Sequence, residues 1–362
     1  MKKKIYLPAF CIVLVICVLI IVALGGGLAG NMSKSEKENI FAMDTVMSLQ
    51  AYGKNAKEAN RQVIELIDGL EKSFDTMNEE SEVYKLNNKM LSLEDVSTNT
   101  KELIELSENC FDITGGAFDI YSYPLSVLWG FETDTLHIPT EAEIGEAKER
   151  VQEKEAFSFG GIAKGYVGDL AFDIYKKAGV KSAILNLGGN VVLVGKKPDG
   201  TSWNVGIKNP LKQDDVFCVV KGSDVNVVTS GSYERFLEDS DGNKFSHIIN
   251  PFSGMPADDD LLSVTIVSKE GYLADALSTA LFVKGLEGSI DFYKNSDAEY
   301  EMILFTKDAK IYASEGLIEN LENNGPNIKL AFEKIPFCNG IGFCTDSQYF
   351  NLFGMRFRYN NK

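Results

Sequence analysis

The chain has 362 residues, of which 44% are hydrophobic and 24% charged, and these proportions are those of globular proteins rather than of disordered or fibrous ones. Its length allows one large domain or two of modest size. With 36 Lys and Arg against 52 Asp and Glu, the net charge is −16. Because such a charge repels phosphate backbones and the sequence shows no basic patch, we exclude nucleic-acid binding as the main function.

The first 30 residues differ from the rest, since Lys2, Lys3 and Lys4 precede an uncharged stretch over residues 5–30. About 20 apolar residues in a helix cross a bilayer, so residues 1–30 predict a membrane anchor with one N-terminal transmembrane helix. The leading lysines predict a cytoplasmic start, a single pass through the cell membrane and an exported remainder on its outer side. Small residues at 28–30 leave a cleaved signal peptide as the alternative. Residues 31–40 are polar and predict a linker.

The folded part is predicted to begin at Phe41. Apolar spacing up to residue 180 predicts a strand over 45–52 and helices over 55–72, 98–110, shortly after Pro139 and over 163–178. The last of these helices has its apolar residues on one face, and Gly179 is predicted to end it.

Residues 182–267 change to short β-rich runs separated by turn residues. The predicted strands are 183–187, 191–194, 203–207, 216–220, 225–229, 233–237, 245–249 and 262–267. Helices over 271–284 and 286–294, and strands near 302–305 and 310–312, follow them. We recognise no internal repeat. The order predicts an α+β domain with mostly antiparallel sheets over 41–324, and a C-terminal extension over 325–362 whose role the sequence does not indicate.

Histidine content excludes one class of active site. His137 and His247 are the only two histidines, so a zinc site built from several histidines is ruled out. The sequence also lacks the Gly-x-Ser-x-Gly motif of many serine hydrolases.

Two glycine pairs stand next to predicted elements. The first, Gly160 and Gly161, leads into the 163–178 helix, which carries Lys164 in its first turn. Free amides, a helix N-terminus and a lysine can together bind a phosphate, although a tight turn with a solvated lysine is an equal alternative. The second pair, Gly188 and Gly189, is more typical of an ordinary turn between strands.

Two groups of polar residues in the second half of the chain suggest a cation site and a polar ligand site. Asp275 and Thr279 lie four residues apart, so their oxygens share one face of a helix and suit a hard cation; a capped or solvated face is the alternative. His247 precedes a turn and lies one hairpin from residues 229–233, which makes a polar site there plausible, whereas single histidines are usually structural.

These segments, in this order, resemble the ApbE-type FAD:protein FMN transferases over about residues 40–321. The motifs that carry the resemblance are 43–45, 73–87, 114–119, 124–125, 128–131, 160–169, 186–189, 229–235, 246–254 and 274–285. Any one of them alone is weak, but together and in register they are specific.

The resemblance implies a T-fold-like core in which two subdomains enclose FAD, with Mg²⁺ beside the diphosphate. The implied metal ligands are the Gly161 carbonyl, Asp275 and Thr279, with Ser278 adjacent. The implied flavin contacts are Met43, Met77, Asn78, Glu79, Ala117, Phe118, Asp119, Ser158, Lys164 and Ile249. The chain departs from the family pattern at Asp44, Ser158 and Asn250.

The implied activity is transfer of FMN from FAD to a Ser or Thr hydroxyl of an exported or membrane-bound flavoprotein acceptor, with release of AMP. His247 is the only side chain near these motifs with an ordinary pKa close to neutrality, so we nominate it as the general base or as the group that orients the attacking hydroxyl, with Asp119 second. Two alternatives use the same site: a Mg²⁺-dependent FAD pyrophosphatase that yields FMN and AMP, and a non-catalytic FAD-binding protein of the cell surface.

Overall fold

The computed structural model describes residues 35–258, 260–323, 332–335, 349–352 and 355–358. Its α-helices are α1 (Ala56–Phe74), α2 (Glu82–Asn87), α3 (Thr98–Thr114), α4 (Tyr123–Trp129), α5 (Glu141–Gln152), α6 (Ala163–Lys177) and α7 (Gly271–Asn295). Its strands are β1 (Ser35–Ala42), β2 (Thr45–Tyr52), β3 (Ser182–Leu187), β4 (Asn190–Gly195), β5 (Trp203–Asn209), β6 (Lys212–Gly222), β7 (Val225–Gly231), β8 (Phe236–Glu238), β9 (Lys244–Ser246), β10 (Leu261–Ser268), β11 (Glu301–Thr306), β12 (Ile311–Ser314), β13 (Leu321–Asn323), β14 (Phe332–Ile335), β15 (Tyr349–Leu352) and β16 (Met355–Arg358).

One large sheet organises the fold. Its strand order is β1-β2-β3-β4-β7-β10-β11-β12-β14, and every neighbouring pair is antiparallel except β12 with β14. A second sheet has the order β13-β6-β5, and β8–β9 and β15–β16 are separate hairpins. This confirms the predicted α+β class with mostly antiparallel sheets.

Helices α1, α6 and α7 cover one face of the large sheet. The sequence explains this packing, because every second residue of β2 is apolar, and Met47, Leu49 and Ala51 are all buried beneath the helices. The three-stranded sheet covers the opposite face, where Phe217 of β6 meets Phe305 of β11 edge to face, with ring centroids 5.1 Å apart. Each face of the large sheet therefore has its own hydrophobic core.

Helices α4 and α5 form a smaller cluster at one end of the molecule. Trp129, Phe131 and Ile249 are buried there, and the Trp129 indole donates to the Gly254 carbonyl at 2.9 Å. This bond ties the turn after His247 to the helical part of the chain. The side chain of Ile249, predicted as a flavin contact, lies in this cluster.

The helical break predicted between residues 284 and 286 is present. Gly285 has φ 67° and ψ −173° inside α7, and the Leu286 amide donates to the Asp260 carboxylate at 2.9 Å, which caps the second half of the helix.

Three sequence predictions need correction. The linker over 31–40 is wrong where the structure describes it, because β1 begins at Ser35 and pairs with β2 along its whole length. The C-terminal extension is not separate from the fold, since β14 pairs with β12. The predicted strands 233–237 and 245–249 are shorter, because Tyr233 to Arg235 form a turn and Ile249 makes only an isolated bridge to Pro256.

The predicted transmembrane helix over residues 1–30 lies outside the described residues. Within the described part of the chain, no helix has both the length and the apolar character needed to cross a bilayer.

Candidate functional site

Two tight hairpin turns lie side by side at one end of the large sheet. Met43 and Asp44 connect β1 to β2 with φ values of 49° and 58°, and Gly188 and Gly189 connect β3 to β4. The turns are adjacent because β2 pairs with β3, and a Cβ placed on Gly188 would lie 2.3 Å from the Thr45 side chain. Asp44, where the family pattern has Gly, thus adopts a left-handed conformation that Asp tolerates better than most residues.

The Met43 turn is fixed to the helical layer. The Met43 amide donates to the Glu71 carboxylate of α1 at 2.6 Å, and the Met43 side chain is partly buried. Behind the second turn, the Nδ2 atom of Asn190 is buried and has no hydrogen-bond partner among the described residues.

The Gly160–Gly161 segment forms a turn that opens α6. The Gly160 amide donates to the Ser158 hydroxyl at 3.2 Å, so Ser158 shapes the turn that precedes the helix. Helix α6 begins at Ala163, and Ile162 before it provides no side-chain cap; the Ala163 amide donates instead to the Phe159 carbonyl at 2.8 Å. Lys164 follows at once and is partly buried. Lys164 at the start of α6 thus has the position that the predicted anion site needs, and the anion site itself stays a prediction.

Helix α7 brings Asp275 and Thr279 to this turn. Asp275 is 4% exposed, and its Oδ2 atom accepts a hydrogen bond from the Gly165 amide at 2.9 Å. A Cβ placed on Gly161 would lie 3.6 Å from the Thr279 hydroxyl and 3.2 Å from the Phe118 ring. Gly161, Thr279 and Phe118 are therefore neighbours, and Asp275 lies one helical turn before Thr279.

Ser278 faces a different direction. It is fully buried, and its hydroxyl donates to the Asp275 carbonyl at 2.8 Å. Because a hydroxyl has one proton, the contact of 2.7 Å with Ser230 must have Ser230 as donor. Ser278 therefore attaches α7 to β7, and both of its contacts are with the protein.

Charged side chains from four segments act on one another at this end of the sheet. Burial raises the pKa of Glu234, Lys164 and Lys208 oppose the shift, and the charge of Asp275 adds to it. Glu234 also lies near the glycine turn, because a Cβ on Gly189 would be 3.9 Å from its carboxylate.

His247 is held in one tautomer. Its Nδ1 atom lies 2.9 Å from the Arg235 carbonyl, and a carbonyl can only accept, so Nδ1 carries the proton and Nε2 has a free lone pair. Burial lowers the pKa of His247 to about 4, and the positive charges of Arg235 and Lys164 act in the same direction. The imidazole is therefore neutral at physiological pH, as a general base must be.

The Asp119 carboxylate, unlike Nε2 of His247, already accepts a hydrogen bond within the protein. Its carboxylate caps a short 3₁₀ helix, Ile120–Ser122, by accepting from the Tyr121 amide at 2.8 Å. Burial raises the pKa of Asp119, against the effects of this bond and of Lys154. Its neighbours Ala117 and Phe118 are buried, and the Phe118 amide donates to the Thr114 hydroxyl at 3.1 Å.

The loop with Met77, Asn78 and Glu79 is exposed and follows α1. The Asp75 carboxylate orders it by accepting from the amides of Met77 and Asn78 at 2.7 and 3.2 Å. The loop is linked to the rest of the site through Glu132, which contacts Thr76 and responds to the charges of Arg235 and Asp44. The structure places Gly161, Phe118 and Thr279 next to one another, with Asp275 one helical turn before Thr279, whereas the side chains of Ser278 and Ile249 pack inside the protein. The remaining flavin contacts stay predictions.

The oxygens around Asp275 fit Mg²⁺. No group of three or more His, Cys, Asp and Glu in the described part of the chain could hold a metal by itself. A cation at Asp275 would therefore use one carboxylate, the Thr279 hydroxyl and the Gly161 carbonyl, completed by substrate oxygens. Mg²⁺ prefers such an all-oxygen set and often binds through one or two carboxylates and substrate phosphates.

Sequence reasoning missed four residues that organise the site. Glu234 and Arg235 lay inside a recognised motif without an assigned role. Gly165 and Asp169 bind the first turn of α7, and one signal could have found them: Gly165-Tyr166-Val167-Gly168-Asp169 resembles Gly271-Tyr272-Leu273-Ala274-Asp275.

Comparisons with known proteins agree with this geometry. The ApbE family profile matches residues 43–304, which include the whole site. An FAD:protein FMN transferase of Vibrio cholerae is 28% identical over 281 residues, covering 72% of this chain and 84% of that protein. One of Treponema pallidum is 32% identical over 239 residues, covering 58% and 66%. The crystal structure of the Thermotoga maritima ApbE protein matches with a TM-score of 0.74 at 27% identity, covering 79% of this chain and 99% of that chain.

Proposed function

The chain belongs to the ApbE family, and we propose that it transfers FMN from FAD to a Ser or Thr hydroxyl of an exported or membrane-bound flavoprotein, releasing AMP. Its curated relatives carry the name FAD:protein FMN transferase, so the chain is a transferase. The observation that carries the finer proposal is the arrangement of Asp275 and Thr279 beside Gly161, with Lys164 and a neutral His247 in the same site.

Each group has a separate task in this proposal. Asp275, Thr279 and the Gly161 carbonyl would hold Mg²⁺, which when bound neutralises charge on the FAD diphosphate. Lys164, at the N-terminus of α6, binds phosphate oxygens, because an ammonium and a helix N-terminus both attract anions. Phe118 packs beside Gly161 from the core and so fixes the position of the glycine turn.

The chemical step needs one proton transfer. The acceptor hydroxyl oxygen forms a bond to the phosphorus of the FMN half, and the bond from that phosphorus to the bridging oxygen breaks. AMP leaves with the bridging oxygen, and the product is a phosphoester between FMN and the acceptor. The hydroxyl proton passes to Nε2 of His247, whose free lone pair is set by the Arg235 carbonyl. Lys164 stabilises the charge that develops on the departing AMP.

An acceptor assay tests the proposal. The full-length chain is incubated with FAD, Mg²⁺ and an acceptor domain with a flavinylation Thr, with the Thr→Val form of that domain as the control. We expect flavin fluorescence on the denatured acceptor band, one AMP for each flavin attached, and neither on the control. Free FMN and AMP without labelled acceptor would instead identify a pyrophosphatase, and intact FAD would identify a binding protein.

The location is part of the proposal and is supported by the sequence alone. Lys2, Lys3 and Lys4 before the uncharged stretch over 5–30 favour a cytoplasmic N-terminus and a catalytic domain outside the membrane. Protease added to intact spheroplasts should digest the domain while the chain sediments with membranes. A protected domain, or one found in the cytosol, would contradict this location.

A further inference from the structure

Two similar pentads open α6 and α7. They are Gly165-Tyr166-Val167-Gly168-Asp169 and Gly271-Tyr272-Leu273-Ala274-Asp275. In each, a glycine amide points across the helix crossing to the aspartate of the other pentad. Gly165 donates to Asp275 at 2.9 Å, and Gly271 donates to Asp169 at 2.6 Å. The two helix starts are thus joined by a reciprocal pair of hydrogen bonds.

The glycines let the two backbones touch. A Cβ on Gly165 would lie 2.2 Å from the Gly271 carbonyl oxygen, and a Cβ on Gly271 would lie 2.5 Å from the Gly165 oxygen. No side chain fits at either position. The relative position of the helices at this crossing is therefore set by backbone contact and by the two carboxylates.

The two aspartates use their oxygens differently. Asp169 accepts from Gly271 through Oδ1 and from Tyr272 through Oδ2, at 2.6 and 2.9 Å, and Asn226 approaches Oδ1 at 3.4 Å. Asp275 uses only Oδ2, and its Oδ1 atom has no hydrogen-bond partner among the described residues. Asp169 is fully occupied as a cap, whereas Asp275 retains an oxygen for a ligand.

We propose that Asp169 is a positioning residue for Asp275: by capping Gly271 and Tyr272 it holds α7 in register with α6, so that the unused Asp275 oxygen lies beside Gly161 and Thr279. This inference rests on the proposed metal site. The distance involved is short, because Gly271 and Asp275 are one helical turn apart, about 6 Å along the axis. A small shift of the helix start therefore moves the carboxylate by a comparable amount.

Metal binding without turnover tests the inference. Mn²⁺ is titrated into the full-length chain with ADP present, and free Mn²⁺ is followed by its electron paramagnetic resonance signal. Asp169→Asn keeps the shape but replaces one acceptor oxygen with an NH₂ group that faces an amide. We expect its Kd for Mn²⁺ to rise about 10- to 100-fold, the usual effect of losing a group that orients a metal ligand.

Asp260→Asn is the matched control. Asp260 caps Leu286 at the second start of the same helix, so this variant makes the same carboxylate-to-amide change at a cap away from the site. Its Kd for Mn²⁺ should stay within about twofold of the wild-type value. Equal Kd values for Asp169→Asn and wild type, or equal losses in both variants, would overturn the positioning role.

Asp275→Asn separates this inference from the proposed function. If it leaves Mn²⁺ binding unchanged, the metal site is wrong and the inference falls with it. If it abolishes binding while Asp169→Asn does not weaken it, only the inference is overturned.

Hydrogen exchange of the wild-type chain gives a test that needs no variant. Mn²⁺ with ADP should slow exchange of the Gly271 and Tyr272 amides, because an ion held by Asp275 stabilises the same register. Unchanged exchange at these two amides, with binding confirmed, would overturn the inference.

Discussion

The two halves of the α6–α7 crossing have the same local geometry and different surroundings. Asp169 satisfies two amides and lies near the negative charge of Glu270, and burial first, then Glu270, raises its pKa to about 6. Asp275 satisfies one amide and lies one helical turn before Thr279, which neighbours Gly161. The residue before the first pentad is Lys164 and the residue before the second is Glu270. The same backbone arrangement thus makes Asp169 a structural cap and Asp275 a candidate cation ligand. The side chains around each aspartate account for the difference.

Asp275→Ala should have the largest effect. Removing the only carboxylate of the proposed metal site should lower Mg²⁺-dependent AMP release about 10³-fold, which corresponds to about 4 kcal/mol of lost transition-state stabilisation. The measurement is AMP release from FAD by chromatography. Asp291→Ala, an exposed aspartate on the same helix, is the control and should retain activity. Full activity in Asp275→Ala would remove it from the site.

His247→Ala tests whether His247, in the same site as Asp275, accepts the proton of the acceptor hydroxyl. We expect kcat to fall about 10²-fold, because a positioned general base contributes at least this much, while FAD affinity stays nearly unchanged. Stopped-flow kinetics and fluorescence titration with FAD measure the two quantities. His137→Ala is the matched control, since His137 is exposed and pairs with Glu143. Equal rates for the two variants would contradict the assignment.

Gly165→Ala tests the closeness of the crossing itself. The new Cβ would meet the Gly271 carbonyl at 2.2 Å, so we expect the free energy of unfolding to fall by about 2 kcal/mol. Chemical denaturation measures it. Gly145→Ala in α5 meets nothing within 4 Å and should leave stability unchanged or raise it by about 0.5 kcal/mol. A stable Gly165→Ala would show that the helices can separate without loss.

Lys164→Ala and Glu270→Ala compare the charged residues that precede the two pentads. Loss of the ammonium should reduce kcat about tenfold, because it removes one of several groups that stabilise the departing phosphate. Glu270 precedes the other pentad as Lys164 precedes the first, and Glu270→Ala should change kcat less than twofold. Steady-state rates of acceptor labelling decide between them, and a larger loss in Glu270→Ala would reverse the assignment of the two sides.

The pH dependence should show the smallest effect. The folded-state pKa of His247 is about 4, below its ordinary 6.5, so the imidazole stays neutral between these values. The acid limb of kcat/KM, measured with FAD and acceptor at fixed ionic strength, should therefore lie well below pH 6.5. A limb centred near 6.5 would show that an ordinary histidine, and not this buried one, is the base.

The sequence predicted the parts of this molecule that depend on local spacing. Strand β2 has the predicted bounds, and the break in α7 at Gly285 was visible because apolar spacing restarts there. The edge strand β1 was missed, since its residues are mostly exposed and carry no apolar alternation. Helix α4 was missed because seven residues show too little periodicity.

The site was predictable only as separate motifs. Asp275 and Thr279 were found from their helical spacing, and Lys164 from the paired glycines before it. What spacing cannot give is the contact between distant segments: that Arg235 fixes the tautomer of His247, that Ser230 binds Ser278, or that Asp169 caps α7. These bonds depend on which strands and helices are neighbours, which only the folded chain determines.

Anomalous diffraction from Mn²⁺ in crystals of the protein grown with ADP would test the central claim most directly. We expect one strong peak between the Asp275 carboxylate, the Thr279 hydroxyl and the Gly161 carbonyl, in contact with the diphosphate of ADP. A diphosphate bound with no peak there, or a peak held by other side chains, would contradict the account.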